Sequence, residues 1–312
     1  MPGIRVKGAK NWGDRRWTGS SGFLSLVMAF YNIGYAITHP VLWLDWTEGK
    51  AVMRFIYYGA SQELFFAVLA LFFTLTALGL WRNAILWGAV RVLEGFANTV
   101  GRFAAWAGLL MVLQQIVIVF IQRIFLEAQI TFGFGVGLSK DISWYAEELK
   151  FYNAMIVCLC AAYTFVQGGH VRVDLIYSVV SYRTKRIIDM LGSLFFMVPA
   201  AVLTWMYSWY FLWRHLVTPK VSASDTLQRL VDGKSRAFKW NVETIGFSPN
   251  GFNAYFLFKI LLVLFCAMII LQAIAFFYRS YLEMREGEAS EGKYLDRDQL
   301  GDEEAELAAD IH

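Results

Sequence analysis

The chain has 312 residues, 57% of them hydrophobic and 17% charged, with a mean hydropathy of +0.46. Soluble domains carry about 45–50% apolar and about 25% charged residues, so this balance excludes an ordinary soluble enzyme and, over most of the length, intrinsic disorder. The net charge is only +3 and the basic residues are spread among loops, which excludes a basic patch of nucleic-acid type; no nucleic-acid partner is expected.

Residues 1–21 hold five Lys/Arg (Arg5, Lys7, Lys10, Arg15, Arg16) against one acid, Asp14. The apolar stretch Phe23–Thr38 that follows mimics a secretory signal. No small-x-small cleavage site comes before Pro40 and Trp43, so the segment reads as a retained anchor. A membrane-spanning helix needs about 20 mostly apolar residues. Six candidates fit, at about 22–44, 63–81, 104–122, 151–168, 187–213 and 254–278. Apolar runs of this length must satisfy their own backbone hydrogen bonds in lipid, which makes them helices. The first contains Asn32 and Pro40 and is compatible with a partly interfacial position. The fifth contains Pro199.

Residues 82–103 differ. Arg82, Arg91, Glu94, Asn98 and Arg102 recur at near-helical spacing, with Ile85, Leu86, Val92, Leu93, Phe96 and Val100 on the other side. This pattern predicts an amphipathic helix on the membrane surface or a connector packed on protein. The bias of Lys and Arg toward cytoplasmic loops sets an orientation. The basic N-terminus, the 82–103 link and the loop 169–186, with Arg172, Arg183, Lys185 and Arg186, fall on the cytoplasmic side, and six spans return the C-terminus there. The 214–253 loop dissents, with six Lys/Arg and three acids on the opposite side. The tail from 279 to 312 holds eleven acids against four bases and is expected to extend the last helix and then become solvated.

Chemistry-bearing patterns are sparse. His39, His170, His215 and His312 lack a second histidine one or two helical turns away, so no haem ligation and no other cofactor is expected. Cys158 and Cys160 point to different helix faces and read as packing residues, as does Cys266; no metal site is expected. No phosphate loop or metalloprotease helix is present, so the chain is not expected to be an enzyme. Lys259, one turn into the sixth span, reads as a snorkelling residue. Gln114, Gln115 and Gln122 can hydrogen-bond between helices or to a partner. The aromatic residues Trp205, Tyr207, Trp209, Tyr210 and Trp213 read mostly as an interfacial belt.

Charged groups cluster at span ends instead. Arg123 closes the third span, and Trp144, Glu147, Glu148 and Lys150 open the fourth. If 124–143 is a hairpin, Arg123 meets one of these glutamates at an interface, either as an ion pair fixing two helices or as a contact to a partner. After the fourth span comes Gly168-Gly169-His170-Val171-Arg172-Val173-Asp174. The glycines end the helix and permit a sharp turn. Arg172 and Asp174 can pair with each other or with helix ends, and His170 reads as a hydrogen-bonded structural histidine.

The ordered set formed by Arg123, Trp144-x-x-Glu147-Glu148, Gly168-Gly169-His170-x-Arg172-Val173-Asp174 and the basic stretch around Arg183 resembles the small, DctQ-type membrane subunit of tripartite ATP-independent periplasmic (TRAP) transporters. The resemblance covers about 104–280. It implies an all-α integral membrane fold with a four-helix DctQ-like core, here preceded by an N-terminal extension (1–103) of about two further transmembrane helices and the surface helix 82–103, and followed by an acidic tail (281–312). It implies a bacterial inner membrane location with both termini cytoplasmic. The implied partners are a large TRAP membrane subunit, a periplasmic substrate-binding protein and the lipid bilayer. The implied role is a non-catalytic scaffold in sodium-coupled uptake of organic acids such as dicarboxylates. The named residues then have structural and subunit-interface roles. The added N-terminal segment also fits recruitment into another membrane complex, such as a respiratory or photosynthetic core.

Overall fold

The computed structural model describes residues 19–46, 49–132, 138–168, 180–217, 252 and 255–296. It is all-α apart from one hairpin, and among the described residues five helices are long and apolar enough to cross a membrane. The chain divides into two compact units, 1–74 and 75–312.

In the first unit, α1 (Gly19–Thr38) stops before Pro40, which cannot continue the helical hydrogen bonding. Thr38 turns its hydroxyl back to the Gly34 carbonyl at 2.9 Å, and His39 stacks on Tyr35 with ring centroids 4.3 Å apart. The apolar part of α1, Gly22–Thr38, is shorter than a full span. One turn, α2 (Val41–Leu44), leads to α3 (Gly49–Gly59). Trp43 and Trp46 pack against Phe55 of α3, at 6.4 and 5.4 Å between centroids. Helix α4 (Gln62–Trp81) begins at Ser61, whose hydroxyl accepts the Leu64 N–H at 3.3 Å and caps the first turn. Among the described residues before α5, α4 is the one helix of full spanning length, and α1 is shorter.

Helix α5 (Asn83–Arg123) has 41 residues and is about 60 Å long. The expected surface helix 82–103 and the expected third span 104–122 are one continuous element. Nothing in Val100–Ala104 breaks a helix, and Gly101 serves packing. A Cβ there would lie 2.2 Å from Tyr163 Cβ, so its absence lets α5 approach α6 (Ile142–Gln167) closely. Ala97, Gly101, Ala104 and Gly108 continue this small-residue stripe. At the crossing, Cys160 Sγ lies 3.4 Å from the Gly101 carbonyl.

Between α5 and α6, β1 (Gln129–Phe132) and β2 (Leu138–Asp141) pair antiparallel, with Gln129 opposite Asp141 and Phe132 opposite Leu138. Helix α6 ends at Gly168, whose φ of 74° permits the left-handed cap and whose N–H bonds the Phe165 carbonyl at 3.3 Å. Helix α7 (Tyr182–Gly192) passes through a π-helical turn (Ser193–Met197) into α8 (Val198–Val217). The widened turn comes just before Pro199, which supplies no N–H and would crowd the Phe195 carbonyl in a regular helix.

Helix α9 (Phe256–Glu286) is central. Its most apolar window is 39% buried, against 11–17% in the other four spans, and it packs on α5, α6, α7 and α8. The other helices leave large apolar side chains outward, an arrangement costly in water and natural in lipid.

Gly101→Leu is expected to push α5 from α6 and cost about 1–3 kcal/mol. Gly88→Ala, where an added methyl meets nothing within 4 Å, is expected to be neutral or slightly stabilising. Thermal unfolding of the detergent-solubilised chain compares them, and equal losses would reject the close crossing.

Candidate functional site

The residues singled out in the sequence fall at opposite ends of the bundle. At the hairpin end, Trp144 packs edge-on against the buried Phe252 at 5.3 Å, with Lys140 Nζ 5.9 Å from its ring. Glu148 accepts hydrogen bonds from Gln114 Nε2 at 3.1 Å and Tyr152 Oη at 3.3 Å, and Glu147 accepts one from Tyr255 Oη at 3.4 Å. Gln114 also donates to the Tyr145 carbonyl at 3.2 Å.

The hairpin is present, but the expected ion pair between Arg123 and Glu147 or Glu148 is not among the described contacts. Glu148 sits at the level of Gln114, nine residues before Arg123 and so about 14 Å lower along α5. Arg123 is exposed on the last turn of α5, where its charge suits the helix C-terminus.

At the other end, Gly168 caps α6 and Arg183 is exposed on α7. Gly169, His170, Arg172 and Asp174 lie outside the described residues, so their expected turn and pairing do too.

This end also contains a buried ionic junction that the sequence reading missed. Glu94 (α5), Arg186 (α7), Arg279 and Glu283 (both α9) are each under a tenth exposed. Arg279 grips Glu94 with two parallel hydrogen bonds, from Nε at 2.6 Å and from Nη2. It reaches Glu283 one turn on, Nη1 to Oε1 at 3.4 Å, and the Lys293 carbonyl at 3.1 Å. Arg186 Nε lies 3.0 Å from Glu283 Oε2; the N–H is not aligned as a hydrogen bond, so this attraction is Coulombic. Arg186 also pairs with Glu291 and reaches Asp189 at 3.5 Å. Two guanidiniums thus link three helices through Glu94 and Glu283, of which Glu283 is shared by both. The fork of Arg fits a carboxylate bidentately, which fixes orientation as well as charge.

As expected, the last helix continues past residue 278, to Glu286; the next ten residues are not the solvated tail their acidity suggested, and 297–312 lie outside the described residues. Residues 287–296 turn back over α5. Asn98 and Gln167 donate to the Asp296 carbonyl at 2.8 and 3.0 Å, and Arg102 holds the Asp296 carboxylate at 2.9 and 3.0 Å. Tyr294 packs edge-on against Trp87 at 5.7 Å, with Arg91 5.1 Å from the Tyr294 ring. The signal available in the sequence was the i,i+4 pair Arg279–Glu283 at the end of an apolar helix, together with a lone Glu94 inside a helical segment. The arrangement can hold helices in register. Among the described residues no group of three or more His, Cys, Asp or Glu is placed to hold a metal ion.

Arg279→Met is expected to strand Glu94 and cost about 3–5 kcal/mol, while Glu94→Met/Arg279→Met removes both charges and recovers much of the loss. A double-mutant cycle on thermal unfolding measures the coupling, and additive losses would reject it. The hydrogen bonds from Arg102, with Asn98 adding to them, hold the Asp296 carboxyl below the ordinary aspartate range. Because its folded pKa is depressed, its contribution is complete above the unfolded value, shrinks below it and vanishes as pH falls through the lowered value. Acidification is therefore expected to loosen 287–296 only beyond the pH at which free aspartate protonates; Asp296→Asn should remove that component of the pH dependence of amide exchange.

Residues 132–228 match the family model described as "Tripartite ATP-independent periplasmic transporters, DctQ component". No curated protein matches the chain. No solved structure matches it. The matched stretch includes Trp144, Glu147, Glu148, Gly168, Gly169, His170, Arg172, Asp174 and Arg183; it leaves Arg123, α9 and all of the chain before the hairpin outside. From the hairpin through α6, α7 and α8, this multi-pass membrane protein is therefore similar to the DctQ component.

Proposed function

We propose that the chain is the small permease subunit of a TRAP transporter, a non-catalytic scaffold in the bilayer for a large membrane subunit that works with a periplasmic substrate-binding protein. The observation that carries this reading is the DctQ match over 132–228. In this reading the transported solute is an organic acid of dicarboxylate type, uptake is coupled to sodium, and both sites belong to the large subunit. The location is the bacterial inner membrane with both termini cytoplasmic, an orientation that requires the shorter α1 to cross as a sixth span beside the five long helices. Loop charge supports that orientation, because Arg183 and Lys185 share the end of the bundle that carries Arg82 and Arg91. Trp144, Glu147, Glu148, Arg123, Gly168, Gly169, His170, Arg172, Asp174 and Arg183 then act in helix ends and subunit contacts.

A scaffold needs a rigid face for its partner. On α5, Phe103, Trp106, Leu110, Leu113, Val117 and Phe120 recur at alternating spacings of three and four residues, and each is about half exposed or more. Among the described residues of the unit 75–312, no other helix covers this heptad seam. Its aromatic residues suit the anchor positions of an interface, and we assign it to the large subunit.

Tagged chain purified in mild detergent from its native host is expected to bring down a many-helix membrane protein, and Trp106→Ala/Leu110→Ala is expected to reduce its yield about tenfold while leaving thermal unfolding of this subunit within about 1 kcal/mol. Recovery of a pigment- or haem-bearing assembly instead would replace this reading with that of an accessory subunit in another complex.

A further inference from the structure

Beyond Glu286 the chain makes three bends in the left-handed region: Gly287 at φ 88°, Gly292 at φ 69° and Tyr294 at φ 60°. The last is a bulky side chain in a conformation that favours glycine. The segment's own turns, closed by bonds such as Ser290 N–H to the Gly287 carbonyl at 3.0 Å and Leu295 N–H to the Gly292 carbonyl at 3.0 Å, shape it locally, and what it touches holds it in place. Its contacts come from four helices: Arg102 and Asn98 of α5 and Gln167 of α6 hold Asp296, Arg186 of α7 holds Glu291, and α9 contributes Arg279 to the Lys293 carbonyl and Glu283 to the Gly292 N–H at 3.3 Å. Leu295 adds an apolar contact to Ala97, Ala162, Val166 and Met268.

These attachments are of unequal strength. The charged ones reach water from the strap side: the Asp296 and Glu291 side chains are 57% and 56% exposed and Lys293 43%, while their partners Arg102, Arg186 and Glu286 are 42%, 8% and 24% exposed. Exposed ion pairs are weak and salt screens them. Beneath lie Glu94, Arg279, Glu283 and Arg186, shielded from salt by burial. Local strain held by screened contacts over a packed base describes a unit able to open without the rest.

We infer that residues 287–296 form a releasable strap, which opens as a unit when its outer ion pairs are screened and uncovers the Arg186–Glu283–Arg279 junction while the helices stay packed. In the closed state the strap ties the start of α7 and the end of α6 to α5. In the open state Arg186 loses Glu291, Arg279 loses the Lys293 carbonyl and Glu283 loses the Gly292 N–H, so two guanidiniums and a carboxylate become reachable from water. The strap lies outside the DctQ match, and its behaviour is independent of the transporter reading.

Hydrogen exchange followed by mass spectrometry on the full chain in nanodiscs tests this, at about 0.01 M and about 1 M salt, where the screening length falls from about 30 Å to about 3 Å. Amides of 287–296 are expected to exchange about tenfold faster at high salt, while those of α9 and of α5 from 97 to 117 hold their rates. Glu291→Gln/Asp296→Asn should give the fast rate already at low salt. Exchange of 287–296 in step with α9 at both salts would overturn the inference, as would a salt-independent rate in the wild-type chain. The wild-type comparison decides the matter even if the double variant fails to fold.

Discussion

The bidentate grip of Arg279 on Glu94, shared through Glu283 with Arg186, is the interaction on which this end of the bundle depends. Helix α9 is otherwise an apolar rod, and apolar packing alone leaves a rod free to slide and rotate against its neighbours. Burying two guanidiniums and two carboxylates costs desolvation that attraction only partly offsets, so the junction is a poor source of stability. Its value lies in selection. Only one register of α5 and α7 against α9 satisfies all four charges, and every other register leaves a buried ion without its partner.

The same constraint explains why α5 differs from a surface helix. In an interfacial helix the polar stripe faces water and the apolar stripe faces lipid. Here Glu94 and Asn98 are buried, while Val92, Phe96 and Phe103 are half exposed or more. Glu94 and Asn98 turn inward because their partners, Arg279 and the backbone at Asp296, lie there, while Arg82, Arg91 and Arg102 stay exposed. Once those contacts orient the first half of α5, the helix has no reason to end at residue 103, and the small stripe from Ala97 to Gly108 carries the same packing onto α6.

Much of the architecture was legible in the sequence. Continuous apolar runs announced α4, α6, α8 and α9, because lipid leaves a spanning backbone few alternatives to a helix. Gly168 announced the end of α6, since its position requires a left-handed residue. The ordered residues from Trp144 to Arg183 pointed to the DctQ component. The junction was not legible. Glu94 and Arg279 are 185 residues apart, and periodicity reports which side of a helix a residue occupies, not whether that side faces water or another charge. Arg123 misled for a related reason: span ends close in sequence suggested that they meet, whereas the longer α5 carries Arg123 well past Glu148. The tail was read by its net charge, which averages over Asp296 and Glu291 and hides that each has an arginine within reach.

The two ends of the bundle are fastened by different physics. At the hairpin end neutral donors meet carboxylates, Gln114 and Tyr152 at Glu148 and Tyr255 at Glu147, within a cluster of aromatic rings around Phe252. Such contacts are short-ranged and little affected by ionic strength. At the other end full charges meet full charges, and their outer members stand in water, where screening reaches them. A helix bundle clamped by neutral bonds at one end and by ions at the other has its adjustable end built in. Solution conditions act on the ionic end first, and the apolar middle, held by Gly101 against Tyr163, transmits little of that change because close-packed helices deform poorly. That division lets one end of the bundle respond while the rest of it stays fixed.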